Sequence, residues 1–308
     1  MKRTIIGLAT ACVAVLGLTA CGSSSNPVSG SSGASGAPSP AGTITIGSGN
    51  FTESTLLADI YVAALTAKGV KVNTKLDIGN REAYFPALKS GTIDLIPEYS
   101  GTLLQYLNAN ATEVASDPVY AALQKALPSN LTVLNQAAAE DKDAIVVTKA
   151  TSDKYHLTSM AQLGPICGQL TFGGPPELKT RPDGVPGFKK NYDCTFGTFD
   201  SLDAGGPLTV AALKNGQVQA ADIFTTDPSI PDNGWVVLAD PKNNFAAQNV
   251  VPVVNKAKLT PTITAALNAV QAKLDTRTLA SLDAQLNAPD KPDPSDVAQS
   301  WLKSVGLG

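Results

Sequence analysis

The chain has 308 residues, 43% hydrophobic and 16% charged, enough apolar content for one large or two medium domains with their own cores. Its formal net charge of -3 lacks the basic excess that a nucleic-acid-binding face needs. One His, four Cys and no Gly-x-Ser-x-Gly, phosphate loop or His-Glu-x-x-His motif point away from an enzyme. No cofactor, metal or nucleic-acid partner is expected.

The chain begins with a targeting pattern. Lys2 and Arg3 precede an apolar run, Ile5 to Leu18, that is too short for a spanning helix. It closes on Leu18-Thr19-Ala20-Cys21, the pattern of a bacterial lipoprotein cleavage site. That pattern implies removal of residues 1–20 and a lipid on Cys21, hence an extracytoplasmic protein anchored to the cell membrane. Residues 21–42 are rich in Ser, Gly, Ala and Pro and carry no charge, the composition of a flexible tether. A tether of that length wanders about 25 Å from its anchor. Cys12 leaves with the targeting segment and Cys21 is used for lipid. Cys167 and Cys194 remain as an even pair in an oxidising compartment, where a disulfide is expected. Two Cys so far apart with no His nearby make a poor zinc site. The lone His156, on a polar stretch, reads as solvated.

Thr43 to Ile46 predicts a short strand. Gly47 to Ser54 then opens a helix, with Asn50 and Glu53 at capping-box spacing and Leu57, Ile60, Tyr61 and Ala64 as its apolar stripe. Gly69 ends that helix, and Val70, Val72, Leu76 and Ile78 alternate as a strand. After the Gly79–Glu82 loop, a helix runs from Arg81 to Ser90. Ala87 to Thr102 reads ALKSGTIDLIPEYSGT: a helix ending at Gly91, a short buried strand, and a loop bearing Tyr99. Residues 109–126 read as helical, broken at Pro118, and Leu131 to Leu134 as a strand. Gln136 to Asp143 is polar, small and aperiodic, and is expected to cross to a second lobe.

Ala144 to Thr148 starts the second α/β unit, and Leu170 to Phe172 is its next strand. Arg181 to Gly187 is a turn-rich loop. Ala212 to Asp227, ALKNGQVQAADIFTTD, then repeats the earlier helix–Gly–strand unit and sets Phe224 opposite Tyr99. A strand at Val236 to Leu238 precedes a return crossing at Asn243 to Asn249. Val250 to Val254 rejoins the first lobe, and helices at 261–274, 276–287 and 294–306 close the chain. Asp293-Pro294 is a helix cap and first-position pair. The alternation of strands and helices predicts two doubly wound lobes, residues 43–142 with 247–308 and residues 143–246. Ligands of such folds bind outside the carboxyl ends of the strands.

Four segments carry a family resemblance: Gly47-Ser48-Gly49-Asn50-Phe51-Thr52-Glu53, Asp94 to Thr102, Arg181-Pro182-Asp183-Gly184-Val185-Pro186-Gly187, and Phe224-Thr225-Thr226-Asp227. Together, over about residues 42–308, they resemble the substrate-binding proteins of osmoprotectant ABC importers, which bind glycine betaine, choline, carnitine or proline betaine. The resemblance implies a two-lobed α/β fold of the periplasmic-binding-protein kind, type II. Such a protein closes on a small molecule in the interlobe cleft, works with an ABC permease and is expected to be a monomer.

The resemblance also implies an aromatic cage that holds a trimethylammonium group by cation–π attraction. Tyr99 and Thr102 fit its Pro-Glu-Tyr-x-Gly-Thr motif, Phe224 a second aromatic, and Glu177 with Arg181 the polar pair that handles a carboxylate. Asn50, Phe51, Glu53 and Ser54 belong to the first loop of the candidate site, and Asn80 with Arg81 to the second. Asp141, Asp143, Thr226, Gln248 and Asn249 complete it. The sequence departs from its relatives at several of these positions. Asp143, Gln248 and Asn249 stand where aromatics are common, Ser54 where Gln is common, and Arg81 puts a cation in the second loop. The expected cage is therefore incomplete. That leaves a neutral hydroxylated or aromatic ligand as an alternative, and a surface adhesin lipoprotein as one of another class. The rings of Tyr99 and Phe224 are expected to face one another across the ligand.

Overall fold

The computed structural model describes residues 42–308, so the targeting segment, Cys21 and nearly all of the tether lie outside the described residues. The chain first runs through β1 (Thr43–Gly47), α1 (Thr52–Thr66), β2 (Lys71–Lys75), α2 (Arg81–Ser90), β3 (Leu95–Tyr99), α3 (Ser100–Leu107), α4 (Ser116–Ala126) and β4 (Leu131–Val133). It crosses to β5 (Ile145–Val147), α5 (Lys149–Tyr155), β6 (Thr171–Gly174), α6 (Val185–Tyr192), β7 (Thr198–Ser201), α7 (Pro207–Lys214), β8 (Ala220–Asp222), α8 (Ser229–Asp232) and β9 (Val236–Val237). It returns through β10 (Val250–Asn255), α9 (Pro261–Gln271), α10 (Thr276–Leu286) and α11 (Pro294–Ser304).

Two five-stranded mixed sheets result, ordered β2-β1-β3-β10-β4 and β7-β6-β8-β5-β9. They share one plan. Three parallel strands are followed by an antiparallel strand, β10 or β5, that has just arrived from the other lobe. The two crossings also pair with each other, through an antiparallel bridge between Glu140 and Asn249. Alternation along the strands buries both faces of each sheet, because side chains of period two point to opposite sides. Val250 and Val254 of β10 face α1, α9, α10 and α11, while Val251 and Val253 face α2, α3 and α4. In the second lobe, Val147 packs toward α6 and Val146 toward α7.

Helix α1 shows why these residues form the first layer. Leu56, Leu57, Ile60, Tyr61, Ala64 and Leu65 recur at helical spacing and all are buried. The Tyr61 hydroxyl, carried into that core, donates to Gln271 Oε1 at 3.2 Å, and Gln271 Nε2 donates to the Val250 carbonyl at 2.7 Å. In the second lobe the fully buried Cys167 and Cys194 are joined as a disulfide, Cα to Cα 5.3 Å.

Several expected elements have different limits. The strand expected over 70–78 contracts to β2, an edge strand with mostly exposed side chains. Pro118 does not break a helix. It lies in the first turn of α4, where its missing N–H costs nothing. The loop expected after Tyr99 is helix α3, starting directly at Ser100, and the turn-rich 181–187 segment runs into α6 at Val185. The three closing helices stop at Gln271, Leu286 and Ser304, one to three residues short of the expected ends.

Candidate functional site

Strand β3 delivers two functional side chains to opposite faces of its sheet. Glu98 points toward α2, and its carboxylate takes donors from every side. Arg81 Nε and Nη2 reach it at 2.9 and 2.8 Å, the Tyr84 hydroxyl at 2.7 Å, and the Tyr99 N–H at 3.1 Å. Arg81 and Tyr84 share a face of α2 because three residues separate them, and Asn80 caps that helix by accepting from the Ala83 N–H. Burial works against the Arg81 charge, but Glu98 beside it holds the guanidinium well above its usual range. The cation that set this loop apart from its relatives is thus neutralised from behind by a buried partner.

Tyr99 points the other way, toward α1. Its hydroxyl donates to Glu53, which also accepts from the Thr226 hydroxyl at 2.9 Å, so one carboxyl ties together α1, β3 and the second lobe. This corrects the capping box expected of Asn50 and Glu53. The N-cap of α1 is Phe51, it receives no side-chain hydrogen bond, and Asn50 is exposed. Burial pushes the Glu53 carboxyl well up, and Asp283 on α10 adds to the rise. Tyr99 is itself only 8% exposed, so it belongs to the core as well as to the cleft wall.

The expected pair of facing rings is a trio. Phe51 stands 5.9 Å from Tyr99 and 5.3 Å from Phe224, centroid to centroid, and tilts against both. Gly205 lies close against the Phe224 ring. That glycine has φ +61°, and a Cβ there would come within 2.9 Å of the ring.

At the start of α3, Gln248 Oε1 accepts from the Gly101 and Thr102 N–H groups at 3.1 and 3.0 Å and from the Thr102 hydroxyl at 3.1 Å. Gly101 is required for this approach, since a Cβ would meet the Ala247 carbonyl at 2.6 Å. Thr102 Oγ1 also accepts from Arg81 Nη2 at 3.2 Å. Asn249 turns away from the cleft. Its Oδ1 accepts from Ser116 Oγ at 2.6 Å and its Nδ2 donates to the Ala137 carbonyl at 3.0 Å, bracing the return crossing against α4. Ser54 likewise accepts from the Gly49 N–H at 2.8 Å and folds the first loop.

From the second lobe, Arg181 reaches across to the first. Its Nε and Nη2 donate to Glu82 of α2 at 3.1 and 2.9 Å, and Glu177 stands 3.8 Å from Nη2. Its task in the structure is this interlobe pair. Asp141, on the first crossing, accepts from the Thr226 N–H at 3.0 Å and the Thr225 hydroxyl at 3.2 Å, both from the loop bearing Phe224. Burial pushes the Asp141 carboxyl well up, with Glu53 adding to the rise. Burial also raises Asp143, against the pull of Arg181 and Arg81. Among the described residues, neither carboxyl has a cation in ion-pair contact.

These groups line a partly open cleft. Among the expected residues, Asn50, Phe51, Asn80, Arg81, Tyr99 and Thr102 line it from the first lobe and its loops. Asp141, Asp143 and Gln248 line it from the crossings, and Glu177, Arg181 and Phe224 from the second lobe. Glu53, Ser54, Thr226 and Asn249 do not. Glu53 and Thr226 bind each other just behind the rings and face an adjoining outer groove. The sequence reading missed Tyr84, whose ring lines the cleft; its spacing of three from Arg81 on one helix was the available signal. It also missed Pro175 and Ala204, small wall residues with no chemistry to mark them.

The fold and this cleft suit a solute-binding protein built from two α/β lobes. Residues 42–304 match the family model of the substrate-binding domain of ABC-type glycine betaine transport systems, and the chain belongs to that family. It is 29% identical over 277 residues to the glycine betaine-binding protein YehZ of Escherichia coli strain K12, covering 85% of this chain and 90% of that protein. The carnitine transport binding protein OpuCC of Listeria monocytogenes is 26% identical over 270 residues, 85% of this chain and 86% of that one. The crystal structure of a glycine betaine/carnitine/choline ABC transporter protein superposes with a TM-score of 0.68 at 24% identity, covering 86% of this chain and 99% of that one. That likeness bears out the two-lobed fold.

Proposed function

We propose that this protein binds a small solute carrying a quaternary ammonium group in the interlobe cleft and delivers it to an ABC permease. The observation that carries the reading is one of composition and contact. Phe51 packs against both Tyr99 and Phe224 beside Asp141 and Asp143, two carboxyls that among the described residues have no cation in ion-pair contact. A trimethylammonium group gains about 0.5–2 kcal/mol from each such ring face, more when desolvated. A bound cation favours the ionised form of these carboxyls, which then supply a counter-charge in place of the missing aromatics. The relatives named for glycine betaine and carnitine support the same class of ligand.

The lobes divide at residues 143 and 247 in this reading, in line with sheet membership, and the ligand closes them. The Leu18-Thr19-Ala20-Cys21 pattern supports an extracytoplasmic protein held to the membrane by lipid on Cys21. The test is titration calorimetry with glycine betaine, carnitine, choline, and sugars or polyols as neutral controls, repeated on Asp143→Asn. A quaternary ammonium solute is expected to bind, and Asp143→Asn to weaken it tenfold or more, about 1.4 kcal/mol. Binding of a neutral polyol alone, indifferent to Asp143→Asn, overturns the reading.

A further inference from the structure

Behind the three rings lies a second cluster that the reading of the solute does not use. Glu53 of α1 accepts from the Tyr99 hydroxyl of β3 and, at 2.9 Å, from the Thr226 hydroxyl of the second lobe. The Asp283 carboxyl of α10 stands within hydrogen-bond reach of both Glu53 and Thr226. Ionised carboxylates only accept, so two carboxyls in that contact hold a proton between them. Two more acids face the pair, Asp141 from the first crossing and Asp227 from the loop after β8. The cations of the neighbourhood stand off. Lys142 on the crossing pairs with Glu140, while Lys214 and Lys291 line the outer groove. Asp203, in the same groove, accepts from the Leu208 and Thr209 N–H groups of α7. Among the described residues, neither Glu53 nor Asp283 has a cation in ion-pair contact. Burial raises both carboxyls, Asp283 to about 7. Glu53, Thr226 and Asp283 all line the outer groove, which gives protons a way in and out.

The geometry points to a proton-dependent clasp between the lobes, in which Glu53 and Asp283 share one proton and hold the second lobe against α1 through Thr226. With that proton in place, Glu53 donates to Asp283 and still accepts from Tyr99 and Thr226, and the pair carries a single negative charge. Without it, two carboxylates face each other in a buried place with no cation at hand, where like charges and lost hydration both work against them. Parting the lobes lets water reach the pair and relieves both costs. The joined form therefore binds more protons than the parted one. Closure is strongest below about pH 7 and weakens as pH rises through that value, by at most about tenfold in the equilibrium for each pH unit. Tyr99 hangs on the same carboxyl, so the ring wall and the lobe contact respond together. The clasp is independent of which solute the cleft takes.

Small-angle scattering of the protein alone, from about pH 6 to about pH 9, tests the clasp. The radius of gyration of the wild type is expected to grow as pH passes about 7, in step with the Asp283 carboxyl resonance in carbon-13 spectra. Glu53→Gln combined with Asp283→Asn keeps a hydrogen bond between the two side chains and leaves nothing there to titrate. That double variant is expected to hold the low-pH radius of the wild type across the whole range. A wild-type radius that ignores pH overturns the clasp, and so does one that changes while the Asp283 carboxyl does not. A double variant as expanded at every pH as the wild type is at high pH also overturns it, since the neutral pair should still hold Thr226. A response that survives unchanged in the double variant overturns it too, and assigns the effect to Asp143, Asp183 and Asp222, the acids around Arg181 in the second lobe.

Discussion

Asp283 is a residue that α10 carries into the back of the site. It is 6% exposed and stands close to Glu53, Asp141, Thr226 and Asp227. Burial is the main cause that pushes its carboxyl up to about 7, with Asp141 adding to the rise and hydrogen bonds from Glu53 and Thr226 opposing it. The native state therefore holds this proton more tightly than the unfolded chain does. Stability from the group is fully present below about pH 4 and is lost as pH rises through about 7, since the native state binds the extra proton. The bound on this contribution is on the order of 4 kcal/mol, from 1.36 kcal/mol per unit. Asp283→Asn is expected to leave stability near pH 4 unchanged and to raise it at pH 8. Urea unfolding at both values checks this; an equal effect at both would mean the proton is not held there.

Helix α2 shows how one element serves two sites. Arg81 and Tyr84 turn to Glu98 under the sheet, while Glu82, one residue on, turns outward to Arg181 of the other lobe. That ion pair joins the two lobes, yet Glu82 is 42% exposed on its side chain, so solvent screens it. Exposed pairs contribute about 0.2–1 kcal/mol. Arg181→Ala is thus expected to weaken ligand binding up to about fivefold, and to raise the radius of gyration of the unliganded protein in small-angle scattering. An unchanged radius and affinity would show that the latch carries no closing energy.

At the scale of the molecule, the repeated unit and the repeated sheet order give two lobes of one plan with different finishes. After β3 the chain enters α3 at once, and its N–H groups seat Gln248. After β8 it turns through Thr225 and Thr226 to reach Asp141 and Glu53. The second lobe has the disulfide to close its core, across a sequence separation of 27. A loop of that length is worth about 3.5 kcal/mol in the chain-entropy model. Reduction is expected to lower the melting temperature on the order of 10 °C. Calorimetric scans with and without reductant check it, and coincident scans would show that the link adds nothing.

Local patterns determined a good deal on their own. Alternating apolar residues, Gly91 and Gly216 after their helices, and the doubled Ala-Leu-Lys unit made the strand–helix order and the two crossings legible, because each depends on period and turn chemistry within a few residues. The same unit placed Tyr99 and Phe224 on one cleft. What Asn50, Glu53, Ser54, Thr226, Arg181 and Asn249 do was beyond that reach. Glu53 has the spacing of a capping residue, but its partners lie 46 and 173 residues away. Arg181 has local acids to choose from and takes Glu82, 99 residues back. Only the tertiary structure decided these. A buried polar group must be matched by whatever partner packing brings within about 3 Å, and that is a property of the folded chain, not of the neighbouring sequence.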